Sequence, residues 1–410
     1  MRLPADQACQ VLRSHYPPPA DDPRAAVQWA LRHPVGCPPL ADLARGHRQA
    51  LVTVSDRTRP VPNRLLLGAL LEELVAAGIP PERVTVLVAT GLHAPPQPAE
   101  LTELLGEEVV RHCQVVCHDA RDLSAQCAVG EVSGRTVFMN RTYVDGELRI
   151  VTGLIEPHLM AGYSGGRKGV CPGVLGAQSI LNWHRPELLA HPRARAGVLT
   201  DNPVDAEAHQ VAALAPPSFL LNVTIDRRRR LTGVYAGDWR QAWQAGAADS
   251  ARATSVRVAH PADLAVTSAA GYPLDVTFYQ AIKGIVTAAG AVRPGGVVIL
   301  AASLSEGVGS EEFAALFHQY ADAESFLTAV LKRPEVTIDQ WQLQMLAQVL
   351  QQVSVGVYSE AISPEELKAL YVEPLATVEE GIDRARALLG RGCSMLCLPE
   401  GPYVVPVLRG

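Results

Sequence analysis

A chain of 410 residues is long enough for two or more domains, each burying its own core, and 48% hydrophobic against 19% charged residues describes an ordinary globular protein. The formal charge of -6 supplies no field that would gather nucleic acid or an anionic membrane, so neither is expected as a partner, and a small anionic substrate needs local Arg and Lys. The opening MRLPADQACQVL lacks the basic start and apolar run of a signal peptide, and no later run approaches the roughly 18 apolar residues of a membrane span, so the expectation is a cytoplasmic protein.

Residues 1 to 48 read as helical turns and loops, with Pro17, Pro18 and Pro19 ending one segment. The first clear strand is ALVTVSD, whose β-branched run ends in Ser55-Asp56-Arg57-Thr58-Arg59-Pro60 before a helix through RLLLGALLEELVAAG. The same unit repeats in RVTVLVAT, the loop Gly91 to Pro96 carrying His93, and a helix around AELTELLGEEVV. Cys113, Cys117 and His118 resemble metal ligands at first sight, but the alternating apolar positions of CQVVCHDA favour a buried strand with small thiol side chains. Cys393 and Cys397 have no matching second pair, and the eight cysteines, scattered along the chain, fit reduced thiols better than a disulfide framework.

A strand ELRIVTGLIEP then leads into the stretch richest in chemistry, GLIEPHLMAGYSGGRKGVCPGVLGAQSILNWH, with His158, Lys168 and His184. Beyond it come the strand SFLLNVTID, the run Arg227 to Arg230, read as a solvated hairpin turn, and a helix GDWRQAWQAGAADSARA that closes a first domain over residues 1–255. A second domain over 262–395 begins with DLAVTSA and the turn GYPLD, where Asp275 is placed to cap a helix bearing Tyr279, Gln280 and Lys283 along one face. RPGGVVILAAS, EGVGS, TIDQWQLQMLAQVLQQ, VSVGVYS, VEEGIDRARALLG and SMLCLPEG continue the alternation, and the tail 396–410 is read as returning to the first domain. Repeated β-loop-α order predicts an α/β protein of two domains with mostly parallel sheets and an active-site cleft between them, where ligands gather at the carboxyl ends of strands. Asp56, Arg59, His93 and His158 each fall just past such an end.

The chain has only four lysines among 36 basic residues, Lys168, Lys283, Lys332 and Lys368, so a lysine between glycines points to a task that guanidinium cannot perform. A desolvated amine loses its proton and forms covalent bonds through nitrogen. Lys332 and Lys368 lie on amphipathic segments and carry no such implication. Two histidines on one edge suit proton removal and return, Arg59 offers a fork to a carboxylate, Lys283 adds a point charge, and the Gly-rich SGGRKG suits an anionic group. These residues fit a racemase or epimerase. They also leave open a Schiff-base lysine enzyme and a non-catalytic protein that binds an organic acid or nucleotide.

SDRTRP, the loop at His93, IEPHLMAGYSGGRKGVCPG, His184, GYPLDVTFYQAIKG and DQWQLQ together resemble the lactate racemase family, whose members use a nickel-pincer nucleotide. The resemblance runs from about residue 50 to the C-terminus and implies an isomerase acting on a small 2-hydroxy acid, supplied with its cofactor by dedicated biosynthetic enzymes. It implies that Lys168 holds a Ni(II) pyridinium-dithiocarboxylate mononucleotide through a thioamide, with His184 as the protein's nickel ligand in a square-planar site. His93 and His158 become the acid/base pair, with hydride leaving C2 for the pyridinium ring and returning. Arg59 and Lys283, with Gln280 and Tyr279, hold the substrate, and Trp341 lines the pocket. Asp56 and Thr58, with Ser164, Gly165, Gly166 and Gly169, position cofactor phosphate or cleft groups, and the two domains open and close on a hinge. One departure stands out: Ala94 occupies the place where family members often carry Arg, which leaves 2-hydroxy acids other than lactate open.

Overall fold

The computed structural model describes residues 8–333 and 335–408; the leader reading rests partly on residues 1–7, which lie outside them, as do residues 409 and 410 of the tail. Two six-stranded sheets organise the chain. The first runs Leu231–Gly237, Phe219–Ile225, Leu148–Leu154, Ala50–Ser55, Val84–Ala89, Gln114–Cys117, parallel throughout except for the antiparallel hairpin strand Leu231–Gly237. The second runs Cys9–Val11, Met395–Leu398, Ala262–Ser268, Val292–Ala301, Ser354–Tyr358, Glu373–Pro374, and every pair is parallel.

These strands are near-continuous apolar runs because both faces are covered. Val52 and Val54 pack with Leu66 and Leu70 of the helix Asn63–Ala76, while Leu51 faces the opposite layer with Val151, Tyr163 and Trp183. That opposite layer also takes up Trp341 and Met345 from the second half of the chain. Their helix, Gln340–Leu350, is buried almost throughout, and its glutamines bond across the halves, Gln344 donating to the Pro186 carbonyl at 2.9 Å. No described helix is long and apolar enough to cross a membrane.

Several local expectations change. Residues 1 to 48 contain the strand Cys9–Val11, which pairs with Met395–Cys397 of the second sheet; three residues carry too little periodicity to be read. The segment after His93 forms two helices, Pro98–Leu105 and Glu107–His112, broken at Gly106, whose φ of 93° no helix accommodates. The helix Phe278–Ala289 is capped by Thr277, whose hydroxyl accepts from the Gln280 amide, and not by Asp275, whose carbonyl instead receives the Leu304 amide. In the tail, Met395–Leu398 sits inside the second sheet, and Val405–Leu408 pairs with Ser255–Val258. Cys9, Cys37, Cys113, Cys117, Cys127, Cys171 and Cys397 are free thiols, and His118 is a buried structural residue held by the Leu175 carbonyl and Asn140. The arginine run forms the hairpin turn, yet Arg229 donates to the Tyr272 carbonyl at 2.9 Å and Arg227 lies 3.7 Å from Glu400.

Candidate active site

Three strand ends of the first sheet deliver the polar groups. Past Ala50–Ser55, the Asp56 carboxylate accepts from the Thr58 amide and hydroxyl at 3.1 and 2.6 Å, closing a tight turn. Its other oxygen accepts from His93 Nδ1 at 2.6 Å. Burial alone would raise the Asp56 pKa, but His93, Thr58 and Arg59 outweigh it and keep the group ionised. The carboxylate therefore fixes the proton of His93 on Nδ1 and leaves Nε2 as a free base.

His158, past Leu148–Leu154, is set the other way. Its Nδ1 accepts from the backbone amides of Met160 and Ala161 at 3.4 and 3.2 Å, so in the neutral ring the proton sits on Nε2. Burial, followed by Lys168, Arg59 and Lys283, pushes its pKa well below the ordinary histidine value. The two imidazoles thus rest in opposite tautomers.

The Gly-rich loop is shaped from beneath. Gly165 and Gly166 have φ of 73° and 55°, and a Cβ on them would lie 2.6 Å from Asn222 Oδ1 and from Trp243, respectively. Under the loop, the fully buried Arg167 donates to the carbonyls of Tyr163 and Ala161, both at 2.8 Å, lies over the Trp243 ring and sits 2.5 Å from Asp205. Lys168 rises from this platform with Nζ 4.8 Å from the Trp183 ring centroid, and burial, then Arg59 and Arg167, push its pKa well below the usual lysine range.

His184 ends the helix Ala177–Trp183. Its Nδ1 donates to the Ile180 carbonyl at 2.9 Å, and its ring stacks on Trp341 at 4.1 Å, with Trp183 edge-on at 4.5 Å. Burial lowers its pKa to about 3, so it is neutral with Nε2 available to a metal. The next residue, Arg185, forks onto Glu207 at 2.5 and 2.6 Å with both side chains only 10% exposed. Glu207→Gln is expected to remove the charge of this fork while Glu187, 3.0 Å from Arg185 Nε, still partners the guanidinium, and so to cost about 1–3 kcal/mol, read as a lower urea midpoint.

The second half closes the site. Lys283 Nζ donates to Gln280 Oε1 at 2.5 Å, and Trp341 Nε1 donates to the Tyr279 hydroxyl at 3.0 Å. A cavity of about 610 Å³ is lined by Asp56, Thr58, Arg59, His93, His158, Lys168 and His184 from the first half and by Tyr279, Gln280, Lys283 and Trp341 from the second. A hollow of about 110 Å³ beside it is walled by Ser164, Gly165, Gly169 and Thr58. Gly166 stands apart, packed on Trp243 with its amide given to Asn222.

Sequence reasoning missed three residues here. Glu156 lies 3.6 Å from Arg59, although it stands inside the quoted IEPH stretch two positions before His158. Asp339 takes a hydrogen bond from Ser310 at 2.6 Å and holds a left-handed φ of 64°, the backbone outlier that only coordinates reveal. Asn222 supports the loop from a strand whose apolar run gave it no prominence.

Residues 1–197 match the sequence profile described as "Lactate racemase N-terminal domain", and 257–406 match "Lactate racemase C-terminal domain". The lactate racemase of Thermoanaerobacterium thermosaccharolyticum is 34% identical over 382 residues, 92% of this chain and 89% of that protein. The chain belongs to the lactate racemase family. The lactate racemase of Lactiplantibacillus plantarum is 33% identical over 385 residues, covering 92% and 90%. The structure of the T. thermosaccharolyticum lactate racemase apoprotein superposes with a TM-score of 0.93 at 33% identity, covering 100% of this chain and 97% of that one. A Thermotoga maritima protein, 16% identical with a TM-score of 0.72 over 94% and 98% of the two chains, shares the fold. As a member of the lactate racemase family the chain is an isomerase.

Proposed function

We propose that this isomerase racemises or epimerises a 2-hydroxy acid, lactate or a relative, with His93 and His158 exchanging protons with the substrate. The reading is carried by the opposite tautomers of these two histidines on one cavity that also exposes Arg59 and Lys283. Arg59 and Lys283 hold the carboxylate, with Gln280 steadying Lys283 and Tyr279, hydrogen-bonded to Trp341, shaping the wall. His93 takes the hydroxyl proton on Nε2, and Asp56 stabilises the imidazolium that results. His158 donates a hydrogen bond from Nε2 to a substrate oxygen. To act as a base at Nε2 the neutral ring must first exchange tautomers, losing its Nε2 proton and taking one on Nδ1, which gives up the long bonds from Met160 and Ala161 at about 1 kcal/mol each.

The residues present fit a nickel-pincer nucleotide. Lys168 offers a desolvated amine for a thioamide, His184 offers a fixed, neutral Nε2 for Ni(II), and the hollow walled by Thr58, Ser164, Gly165 and Gly169, next to Asp56, suits the phosphate. When bound, the group supplies the acceptor and donor for the hydride on C2. Trp341 and Trp183 exclude water from this side of the cavity. We further propose that residues 1–255 and 262–395 close on the cleft as two units, since its walls come from both. Scattered free thiols such as Cys37, Cys117 and Cys127 suit a reducing compartment, the cytoplasm, where the enzymes that make the cofactor would meet the chain.

Co-expression with those enzymes, intact-mass and nickel analysis, and chiral chromatography of a hydroxy-acid panel test the reading. Expected are a sulfur-containing adduct on Lys168, one nickel per chain and interconversion of at least one enantiomer pair. A bare Lys168 under conditions that load another family member would overturn the cofactor assignment.

A further inference from the structure

Resting on that reading, we infer that Glu156 is a specificity-determining residue that limits the substrate to a single negative charge. Its backbone is fixed at the end of Leu148–Leu154, its amide donating to the Ser164 hydroxyl at 3.0 Å and its carbonyl receiving the Ser164 amide at 2.8 Å. From there the half-buried pair of side chains meets: the Glu156 carboxylate, 13% exposed, lies 3.6 Å from Arg59 Nε, 22% exposed. Glu156 and Arg59 line one small hollow with Lys283, which approaches from the other half; burial and then Arg59 lower the Lys283 pKa to about 7, and Glu156 opposes them. The two basic groups meant for a carboxylate therefore already share one resident acidic group, whose pKa burial raises and Arg59 and Lys283 draw down.

A second substrate carboxylate would need another free cation. The remaining cavity wall offers Glu306, Glu312 and Asp339, while the arginines there are engaged, Arg57 at 3.5 Å from Glu100 and Arg121 at 3.8 Å from Glu312. Position 94 contributes a methyl group. A dianion would thus meet basic groups whose charge Glu156 already offsets from behind Arg59, outside the cavity wall, and a wall that adds Glu306 and Asp339, and unfavourable charge placement is an effective means of rejecting the wrong ligand. A structural role for Glu156, orienting Arg59 alone, predicts weaker binding of every carboxylate but no preference for their charge.

Oxamate and oxalate separate the two, being near-isosteric and differing by one charge. Titration calorimetry of the metal-free full chain at neutral pH is expected to give tighter binding of oxamate. In Glu156→Gln the ratio of the two dissociation constants should move towards oxalate by about tenfold or more, and in Glu156→Asp, which keeps the charge, the wild-type order should persist. Thermal unfolding of each variant establishes that it is folded. A ratio unchanged in folded Glu156→Gln overturns the inference and leaves the proposed function standing. A reversal shared by Glu156→Gln and Glu156→Asp also overturns it, because charge would not be the cause. Failure of the wild-type chain to bind either anion overturns the inference, whereas the proposed function stands or falls on turnover by the loaded enzyme.

Discussion

His93→Gln is expected to lower kcat/KM by about 10²–10⁴-fold, the usual worth of a positioned proton-transfer group. The loss must be equal for both enantiomers, because a racemisation has an equilibrium constant of 1 and the two kcat/KM values are tied to it. Any asymmetry between the histidines therefore shows in kcat and KM taken separately. The enantiomer whose hydroxyl faces His158 pays for freeing Nδ1 from the Met160 and Ala161 amides, whereas the one facing His93 finds Nε2 ready, oriented by Asp56 at 2.6 Å. Initial rates from each pure enantiomer, for the wild type and for Asp56→Asn, measure this. Asp56→Asn should lower kcat most for the enantiomer deprotonated by His93; equal kcat changes for both would show that Asp56 does not act through that ring.

Lys168→Arg is expected to abolish activity while leaving the fold intact. Arginine keeps a long basic side chain but cannot shed its proton or form the thioamide, so intact mass should show no adduct. The wild-type amine, by contrast, is neutral well below the usual lysine range because it is buried and flanked by Arg59 and Arg167. The sign follows: lower pH protonates the amine and slows acylation, and the fall should begin at a pH below that of an exposed lysine. The rate of labelling of Lys168 by an amine-reactive reagent against pH reads this directly, with Lys332 and Lys368 as internal references in the same digest. Identical profiles for all three would remove the argument for a desolvated amine.

The alternation of strand and helix was legible because both sheets are built from apolar runs of ordinary length, and the polar residues after ALVTVSD, RVTVLVAT and ELRIVTGL follow from that alone. Lys168 was conspicuous through lysine scarcity and flanking glycines. What stayed hidden has identifiable causes. Glu156 sits beside a proline in a loop where a carboxylate is unremarkable, and its significance comes from Arg59, nearly a hundred positions earlier, and from Lys283 in the other half. Asp339 reaches Ser310 and the Tyr279 wall only through the packing of Gln340–Leu350 between the halves. The tautomers of His93 and His158 depend on individual hydrogen bonds, which no residue pattern encodes. Cys9–Val11 was missed for want of length, and Thr277 displaced Asp275 as a cap because Asp275 still lies in the turn and the helix starts only at Phe278, after a bend through Val276 and Thr277.

That first strand also sets the order in which the molecule can be completed. Cys9–Val11 forms the edge of a sheet whose adjoining strand, Met395–Leu398, leaves the ribosome long after it. The first sheet, whose strands all lie between Ala50 and Gly237, can assemble while synthesis continues, but the leading segment must wait, unpaired, for a partner some 385 residues away. The half that carries Lys168 can thus take shape before the half that covers it. Under the proposed function, a nascent chain would for a time expose Lys168 to the enzymes that make the cofactor, before the second half buries the amine.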